Sequence, residues 1–540
     1  MSGTAAVITR LSDAAQHRGG RTQRRIDGAY FTDADVAQHL ARRAIGARLL
    51  AAAGLDAASI DALLAEGGDP TAVVRDRCAR AATVRQAVLE LLGALVVLDP
   101  TCGAGSFLVA AWRELRAIEQ ALDVHGIVSG SQLHGCDIDA GAVAACRETL
   151  ALVLRDDDRP SVGLPQITLA DAQVAGVLPA ADVVLGNPPF VRATARLEAA
   201  VGDLRSAPVP NRSAWIVERS LLAARPGARV SFVLPISTMC TDAFASARAV
   251  WADACESIHA SHFDTIPASL FPGVVQRLTL VEGRRREGTH RTPTRWWTTR
   301  YHRWTGAERA GLLERIRHVA LTDGDAGIDV RGSLPKVGST LELGLLERIH
   351  RFDPARRWFV RGAAADGGNR LRYKRRWSYF LLFTDFVPAK WDAGGALVEP
   401  TEFKSLDIDG SIDARVLLAL YSSTLFWWYF SVYTDNRNVN RRDLGAFPVP
   451  ELARSTQDRL TSLADELMVA LRACAQVRTC TYESVGTIRN TYFRQGATRP
   501  VLDRIDAVLA DAYGMTDDEL AFVLGFERRF RGGELSAAVR

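Results

Sequence analysis

The stretch Leu91-Leu92-Gly93-Ala94-Leu95-Val96-Val97-Leu98-Asp99-Pro100-Thr101-Cys102-Gly103-Ala104-Gly105-Ser106-Phe107 decides the fold. An apolar run ends at Leu98, and the Asp, Pro and Gly that follow mark a buried strand turning sharply into a helix. Gly103 and Gly105 let the backbone turn tightly and approach a ligand without Cβ interference, while the helix that follows offers free amides. The turn departs from the dinucleotide fingerprint Gly-x-Gly-x-x-Gly, because Leu108 stands where the third glycine would be. An acidic residue ahead of the turn, Asp99, suits a ligand with a cationic amino group better than a pyrophosphate.

The same texture recurs down the chain, in apolar runs that end at Cys136, Leu169, Leu185 and Leu234. Strands alternating with helical patterns predict an α/β fold, a Rossmann-like parallel sheet with crossover helices. Ahead of it, Asp33 to Gln86 has apolar residues at helical spacing and reads as a helical insertion near the amino terminus. Beyond Gly283 the alternation stops and Arg, Trp, Tyr and Gly become frequent, so a boundary is expected between Arg284 and Gly288. The predicted division is a basic leader over 1–27, a catalytic domain over 28–285 and a mixed α+β domain over 286–540. The last of these ends in helices, with Leu460, Leu463, Leu467 and Leu471 on one face.

Composition narrows the function classes. A chain of 540 residues exceeds the roughly 250 at which single cores stop growing, so two or three domains are expected. A hydrophobic share of 48% with 24% charged residues argues against disorder and against a disulfide-stapled scaffold. The eight cysteines form no Cys-x-x-Cys pair and no zinc spacing, so reduced thiols in a cytoplasm are expected and no metal site. Met1 to Arg25 has no apolar stretch long enough for a secretory signal. Val416 to Thr434 is uncharged and nearly long enough to span a membrane, but Ser422-Ser423-Thr424 sits in its middle. A buried helix or strand pair is the expectation there, and no membrane association.

Ligands of such a sheet bind beyond the carboxyl ends of its strands, where this sequence places Asp99, Asp137, Asp171 and Asn187. Asp137 can accept both hydroxyls of a ribose; Asp139, two residues on, reads more simply as a helix N-cap. Asp171 can accept from the exocyclic amine of an adenine or cap the next turn. Together the acids and the glycine turn describe a pocket for an adenosine with a positively charged tail. The most specific signal is Asn187-Pro188-Pro189-Phe190, following Ala181 to Gly186. Two prolines cannot continue a parallel strand, so the chain stops in a rigid turn. That turn aims the Asn187 side-chain oxygen and the Pro188 carbonyl at one point, where they would take both hydrogens of a planar amine and make its nitrogen nucleophilic. Phe190 would stack on the ring bearing that amine.

In order and wording these segments resemble the N6-adenine DNA methyltransferases of the gamma arrangement, which use S-adenosylmethionine. The resemblance covers Gly28 to Gly283 and, more loosely, the remainder. Gly28-Ala29-Tyr30-Phe31-Thr32 matches the family's amino-terminal cofactor motif, with Asp33 where a Pro is usual, and implies that Thr32 meets the methionine part. It further implies a cofactor site of Tyr30, Thr32, Asp99, Thr101, Gly103, Gly105, Asp137, Ile138, Asp171 and Asn187, and a catalytic turn of Asn187, Pro188, Pro189 and Phe190. Asn211 to Glu218 and Val230 to Pro235 resemble the helix and strand completing the fold, with Ile216, beside Trp215, where the family has an aromatic near the cofactor adenine. Ser269-Leu270-Phe271-Pro272-Gly273 resembles the segment whose aromatic stacks on the other face of a flipped base, which assigns that role to Phe271.

Fifteen residues separate Asp171 from Asn187, too few for a recognition domain, so DNA reading is expected on the carboxyl side. Arg284 to Trp304 carries seven arginines against Glu287 and is interleaved with Trp296, Trp297 and Tyr301. Arg370 to Arg376 adds five more positive charges. Such clusters suit a phosphate-tracking cleft on double-stranded DNA, with Arg291, Arg295, Arg300, Arg303, Arg372, Lys374, Arg375, Arg437 and Arg441 as candidates. Leu425 to Tyr429 and Leu444 to Pro450 resemble the ends of recognition domains in fused restriction-modification enzymes. The leader is too short for a nuclease, so a cognate endonuclease or defence subunit is expected to be encoded separately, and the protein to act in a bacterial cytoplasm, on the nucleoid. Two rivals stay open: transfer to RNA guanine or protein glutamine, and an inactive DNA-binding specificity subunit.

Overall fold

The computed structural model describes residues 32–155, 163–192, 201–271, 274, 276–288, 292–321, 333–360, 368–375, 381–482 and 486–531. Tyr30, with the rest of Gly28 to Phe31, lies outside them, as does Arg291. The chain forms two compact units, divided at Gly338 and Ser339.

Four helices open the first unit: α1 (Ala34–Ala52), α2 (Ala57–Ala65), α3 (Pro70–Arg80) and α4 (Ala82–Ala94). Asp56 caps α2 through Ser59 N, and Asp69 caps α3 through Thr71 N and Ala72 N, with Pro70 in its first turn. They lead into a nine-stranded sheet of order β3-β2-β1-β4-β5-β7-β6-β8-β9. Strands β1 (Val97–Asp99), β2 (Leu133–Asp137), β3 (Gln166–Leu169), β4 (Ala181–Gly186) and β5 (Ala224–Pro235) run parallel. Crossover helices α5 (Ser106–Ala121), α6 (Ala140–Arg155) and α7 (Arg212–Ala223) link members of this set, and the short α8 (Ser237–Cys240) and α9 (Ala245–Ala254) follow β5. α1 packs on α5, β4 and β5. The order reverses at β1, whose neighbours are β2 and β4, and it is at such a point that the crevice of an open α/β sheet lies.

The second half of the sheet departs from the parallel expectation. β7 (Leu278–Arg285) runs antiparallel between β5 and β6 (Cys255–Phe263), β8 (Arg295–His302) is parallel to β6, and β9 (Val319–Leu321) is antiparallel to β8. The sheet therefore continues through the boundary expected at Arg284–Gly288. A shift toward Arg and Trp looked like a new domain; Arg284, Arg285, Arg286, Arg295 and Arg303 instead satisfy acceptors inside the same unit, and Thr298 and Thr299 of β8 are buried.

In the second unit, β10 (Arg370–Lys374) pairs antiparallel with β11 (Phe383–Thr384) and β14 (Phe403–Asp407). A four-stranded antiparallel sheet joins β12 (Lys390–Trp391), β13 (Leu397–Val398), β15 (Ala475–Tyr482) and β16 (Gly486–Phe493). Its helices are α10 (Thr340–Ile349), α11 (Ala414–Ser422), α12 (Thr424–Tyr433), α13 (Arg441–Ala446), α14 (Arg454–Ala473), α15 (Arg499–Tyr513) and α16 (Asp517–Gly525). The uncharged stretch is the pair α11 and α12, bent by 69° at Ser423, and every residue of α12 is buried. The carboxylate of Asp506 on α15 accepts from Thr424 N and Leu425 N, both at 3.1 Å, satisfying the donors that the break exposes. Among the described residues no single helix is long and apolar enough to cross a membrane. Phe426 and Tyr429 pack edge-on to Phe447 at 5.1 and 4.8 Å, so both segments likened to recognition-domain ends form core. The buried face of α14 includes Leu460, Leu463, Leu467 and Leu471.

Candidate active site at the carboxyl ends of the strands

Gly103 and Gly105 adopt φ of +52° and +94°, which side-chain-bearing residues rarely do. They serve different needs. A Cβ on Gly105 would lie 3.0 Å from Cys146 Sγ on α6, whereas one on Gly103 would meet nothing within 4 Å, so Gly103 borders open space. Asp137 ties the two loops together: Oδ2 accepts from Gly103 N at 2.9 Å and Oδ1 from Asp139 N at 2.9 Å. Asp99 accepts from Thr101 N at 3.0 Å and is 1% exposed.

Burial pushes the Asp99 carboxyl up to about 8, and the neighbouring Asp137 charge adds to the rise. Asp137 is raised too, mainly by burial. Thr101 Oγ1 is buried without a hydrogen-bond partner. Two desolvated acids and an orphaned hydroxyl fit a ligand carrying an ammonium and a carboxylate on one carbon: the cation compensates the acids and the hydroxyl donates to the anion. Ile138, 62% exposed beside Asp137, offers apolar surface to a flat ring. Asp171 accepts from Gln173 N at 3.0 Å and from Gln173 Nε2 at 2.9 Å, so it caps the turn after β3, the plainer of its two expected roles. Asp139 accepts from Ala142 N at 2.7 Å as the N-cap of α6. Ile216 packs with Cys136 and Ala172 at the ends of β2 and β3, and Trp215 is buried elsewhere, its indole donating to Ser206 O at 3.1 Å.

The turn of Asn187 to Phe190, the expected catalytic turn, leaves β4 at Gly186, where a Cβ would lie 3.0 Å from the Phe232 ring. Asn187 Nδ2 donates to Thr32 Oγ1 at 3.1 Å, a contact between residues 155 apart that the sequence did not announce. Thr32, expected against a methionine moiety, is thus held against the Asn187 amide. Pro188 is buried and Phe190 half-buried, packed against the core with Ala268. Phe271 is 2% exposed within that same core, alongside Leu270, Phe263 and Trp304. In this arrangement neither face of Phe271 is available to a base, and the stacking role expected of it is corrected to a packing role. An aromatic before a turn reads alike in both cases.

The basic cluster is corrected more broadly. Asp264, which follows β6, is fully buried and accepts from Arg303 Nε and Arg277 Nε, each at 2.8 Å. Burial raises its carboxyl, but Arg303 and Arg277 outweigh that and hold it below the usual range. Arg295 pairs with the buried Asp61 at 2.8 Å, Arg284 with Glu256 and Glu287, and Arg286 donates to the carbonyls of Asp253 and Ala252 at 3.0 and 3.1 Å. Arg303 is therefore an internal tie rather than a free phosphate contact; Arg295, though paired with Asp61, keeps a side chain 40% exposed, and Arg300 is half-buried on β8. In the second unit, Val439 N donates to Arg375 O at 2.8 Å, which brings the loop of Arg437 and Arg441 to the end of β10. Arg375, Arg437 and Arg441 are exposed, Arg372 and Lys374 half-buried, and Arg441 lies 5.1 Å over the Phe359 ring. Among the described residues no His, Cys, Asp and Glu group is placed to hold a metal ion.

A pH test follows from Asp99. A carboxyl raised to about 8 in the fold contributes stability that is complete below its unfolded pKa near ~4 and lost as pH rises through about 8. Asp99→Asn should flatten the fall of thermal stability between pH 5 and 8 in the absence of ligand, by up to about 1.4 kcal/mol per pH unit. Calorimetry across that range checks it, and parallel curves for both proteins would refute it.

Residues 76–159 match the family model described as MmeI, DNA-methyltransferase domain. No curated protein matches the sequence. Among solved structures, the fold is similar to the type IIL restriction-modification enzyme MmeI in complex with DNA, at 13% identity and a TM-score of 0.54, covering 98% of this chain and 81% of that one. The DrdV–DNA complex matches at 11% identity and a TM-score of 0.46 over 97% of this chain and 72% of that one. The type IIG restriction endonuclease BpuSI matches at 11% identity and 0.43, over 99% and 68%. The family match falls on the glycine turn and on Asp137, so the segment that builds this pocket is similar to the DNA-methyltransferase domain of MmeI, and the chain shares the fold of that enzyme.

Proposed function

We propose that this protein methylates the N6 amine of an adenine flipped out of double-stranded DNA, at a specific site, within a restriction-modification or phage-defence system. The observation that carries the reading is Asn187, seated at the end of β4 with its amide nitrogen engaged by Thr32 and followed by the rigid Pro188-Pro189-Phe190 turn. Asn187 Oδ1 and the Pro188 carbonyl accept the two amine hydrogens, which draws the nitrogen lone pair out of conjugation with the ring. Phe190 stacks on one face of the base. The base must leave the duplex, because a paired and stacked amine cannot reach the strand ends. No general base is required: the proton leaves after transfer, from a cationic nitrogen.

Asp99, Thr101, Gly103, Asp137 and Ile138 would hold S-adenosylmethionine, which supplies an electrophilic methyl group when bound. Asp99 and Asp137 compensate its ammonium and accept from its ribose, and the open side of Gly103 admits its close approach. Recognition falls to the second unit, where Arg375, Arg437 and Arg441 gather at the end of β10 and would track phosphates. The DNA held by MmeI in its complex supports that partner here.

The test offers the purified protein labelled S-adenosylmethionine with plasmid DNA, ribosomal RNA and protein as competing acceptors, followed by single-molecule sequencing of the DNA. Label in N6-methyladenine at one recurring motif is expected. Label confined to RNA or protein, or on cytosine, would overturn the reading.

A further inference from the structure

We infer that Thr32 is a positioning residue for the reaction, acting through Asn187: its hydroxyl oxygen accepts from the amide nitrogen and so holds the side chain with Oδ1 left for the target amine. The inference rests on the function proposed above and goes beyond the contact with cofactor expected of this residue. An Asn side chain has two ends of nearly equal size, an acceptor oxygen and a donor NH2, and the torsion that exchanges them is broad and two-fold. Only one orientation serves an amine substrate. With Oδ1 on the target amine, Nδ2 turns to the rear; with the amide reversed, its hydrogens oppose those of the substrate. A donor turned to the rear, against the buried Thr32, needs an acceptor there, since a buried polar group without one is costly. Thr32 Oγ1 stands in that place, 3.1 Å from Asn187 Nδ2 and 5% exposed as a residue.

The acceptor is also held rigidly. Thr32 immediately precedes Asp33 and helix α1, which packs on α5, β4 and β5, the elements that carry the glycine turn and the catalytic turn. Arg309 pairs with Asp35 at 2.9 Å and reaches Asp33 at 3.6 Å, tying down the start of α1. The hydroxyl is thus anchored from the side of the sheet opposite in sequence, 155 residues from the amide it orients.

Three variants test this by single-turnover transfer, with cofactor and DNA dissociation constants and melting temperature measured on each. Thr32→Val keeps the shape and removes the acceptor; the transfer rate should fall about 10- to 100-fold with both dissociation constants and the melting temperature nearly unchanged. Thr32→Ser keeps the acceptor and should recover most of the rate. In Asn187→Asp, whose carboxylate presents an acceptor whichever way it turns, adding Thr32→Val should cost less than about 3-fold. A Thr32→Val rate equal to wild type, a loss that Ser does not rescue, or a loss confined to cofactor affinity would overturn the inference. Failure of the underlying reading is separate: it would appear as methyl transfer retained in Asn187→Ala, or transfer to an acceptor that is not an adenine amine.

Discussion

Replacing Asn187 with Ala should lower the rate of methyl transfer by about 10²–10³-fold, the scale on which removal of one preorganised polar group acts at a reacting centre, while DNA affinity changes little. On the proposed reading the deleted oxygen is one of two acceptors on the amine, and without it the nitrogen lone pair would stay conjugated with the ring. On that reading ground-state binding does not depend on that hydrogen bond, because the second unit would supply the phosphate contacts. The loss should therefore appear in the single-turnover rate at saturating cofactor and DNA, not in either dissociation constant. A protein that loses DNA binding in parallel would place Asn187 in recognition, and one that keeps its function unmethylating would favour an inactive specificity subunit.

Removing Asp264 should cost about 3–5 kcal/mol of folding stability, as expected when one member of a buried ionic cluster is deleted and its partners remain charged. Arg303, whose side chain is 4% exposed, and Arg277, at 14%, would both lose their carboxylate. Denaturant unfolding of Asp264→Ala measures the loss. Because its carboxyl is held below the usual range, the contribution of Asp264 is present above the unfolded pKa and disappears as pH falls through the folded one. The variant should accordingly differ from wild type most near neutrality and converge with it in acid. Arg303→Ala should also destabilise the protein while leaving the salt dependence of DNA binding unchanged; a slope reduced by one phosphate contact, with stability intact, would return Arg303 to the DNA surface.

Those two residues show how unevenly function and structure announce themselves. The Asn187 turn was legible because prolines at a strand end allow few backbone paths and because the run Ala181 to Gly186 before it reads as a strand. The glycine turn and Asp137 were legible for the same reason: each lies within a few residues of a hydrophobic period change. Arg303 was misread because a charged side chain carries no sign of whether a carboxylate waits for it, and Asp264 is 39 residues away in sequence. Phe271 was misread likewise, since an apolar ring before a turn serves a core or a ligand equally well.

Sequence by itself determined the parallel half of the sheet, the residues at its carboxyl ends and the chemistry their types allow, because strand periodicity and turn stereochemistry are local properties. Tertiary structure alone decided that β8 and β9 extend that sheet, that Arg284, Arg286 and Arg303 are internal ties, that Asp506 caps the break between α11 and α12, and that Thr32 meets Asn187. Each of these is a pairing between distant groups, set by which donor and acceptor the folded backbone brings within about 3 Å, and burial then makes the pairing obligatory.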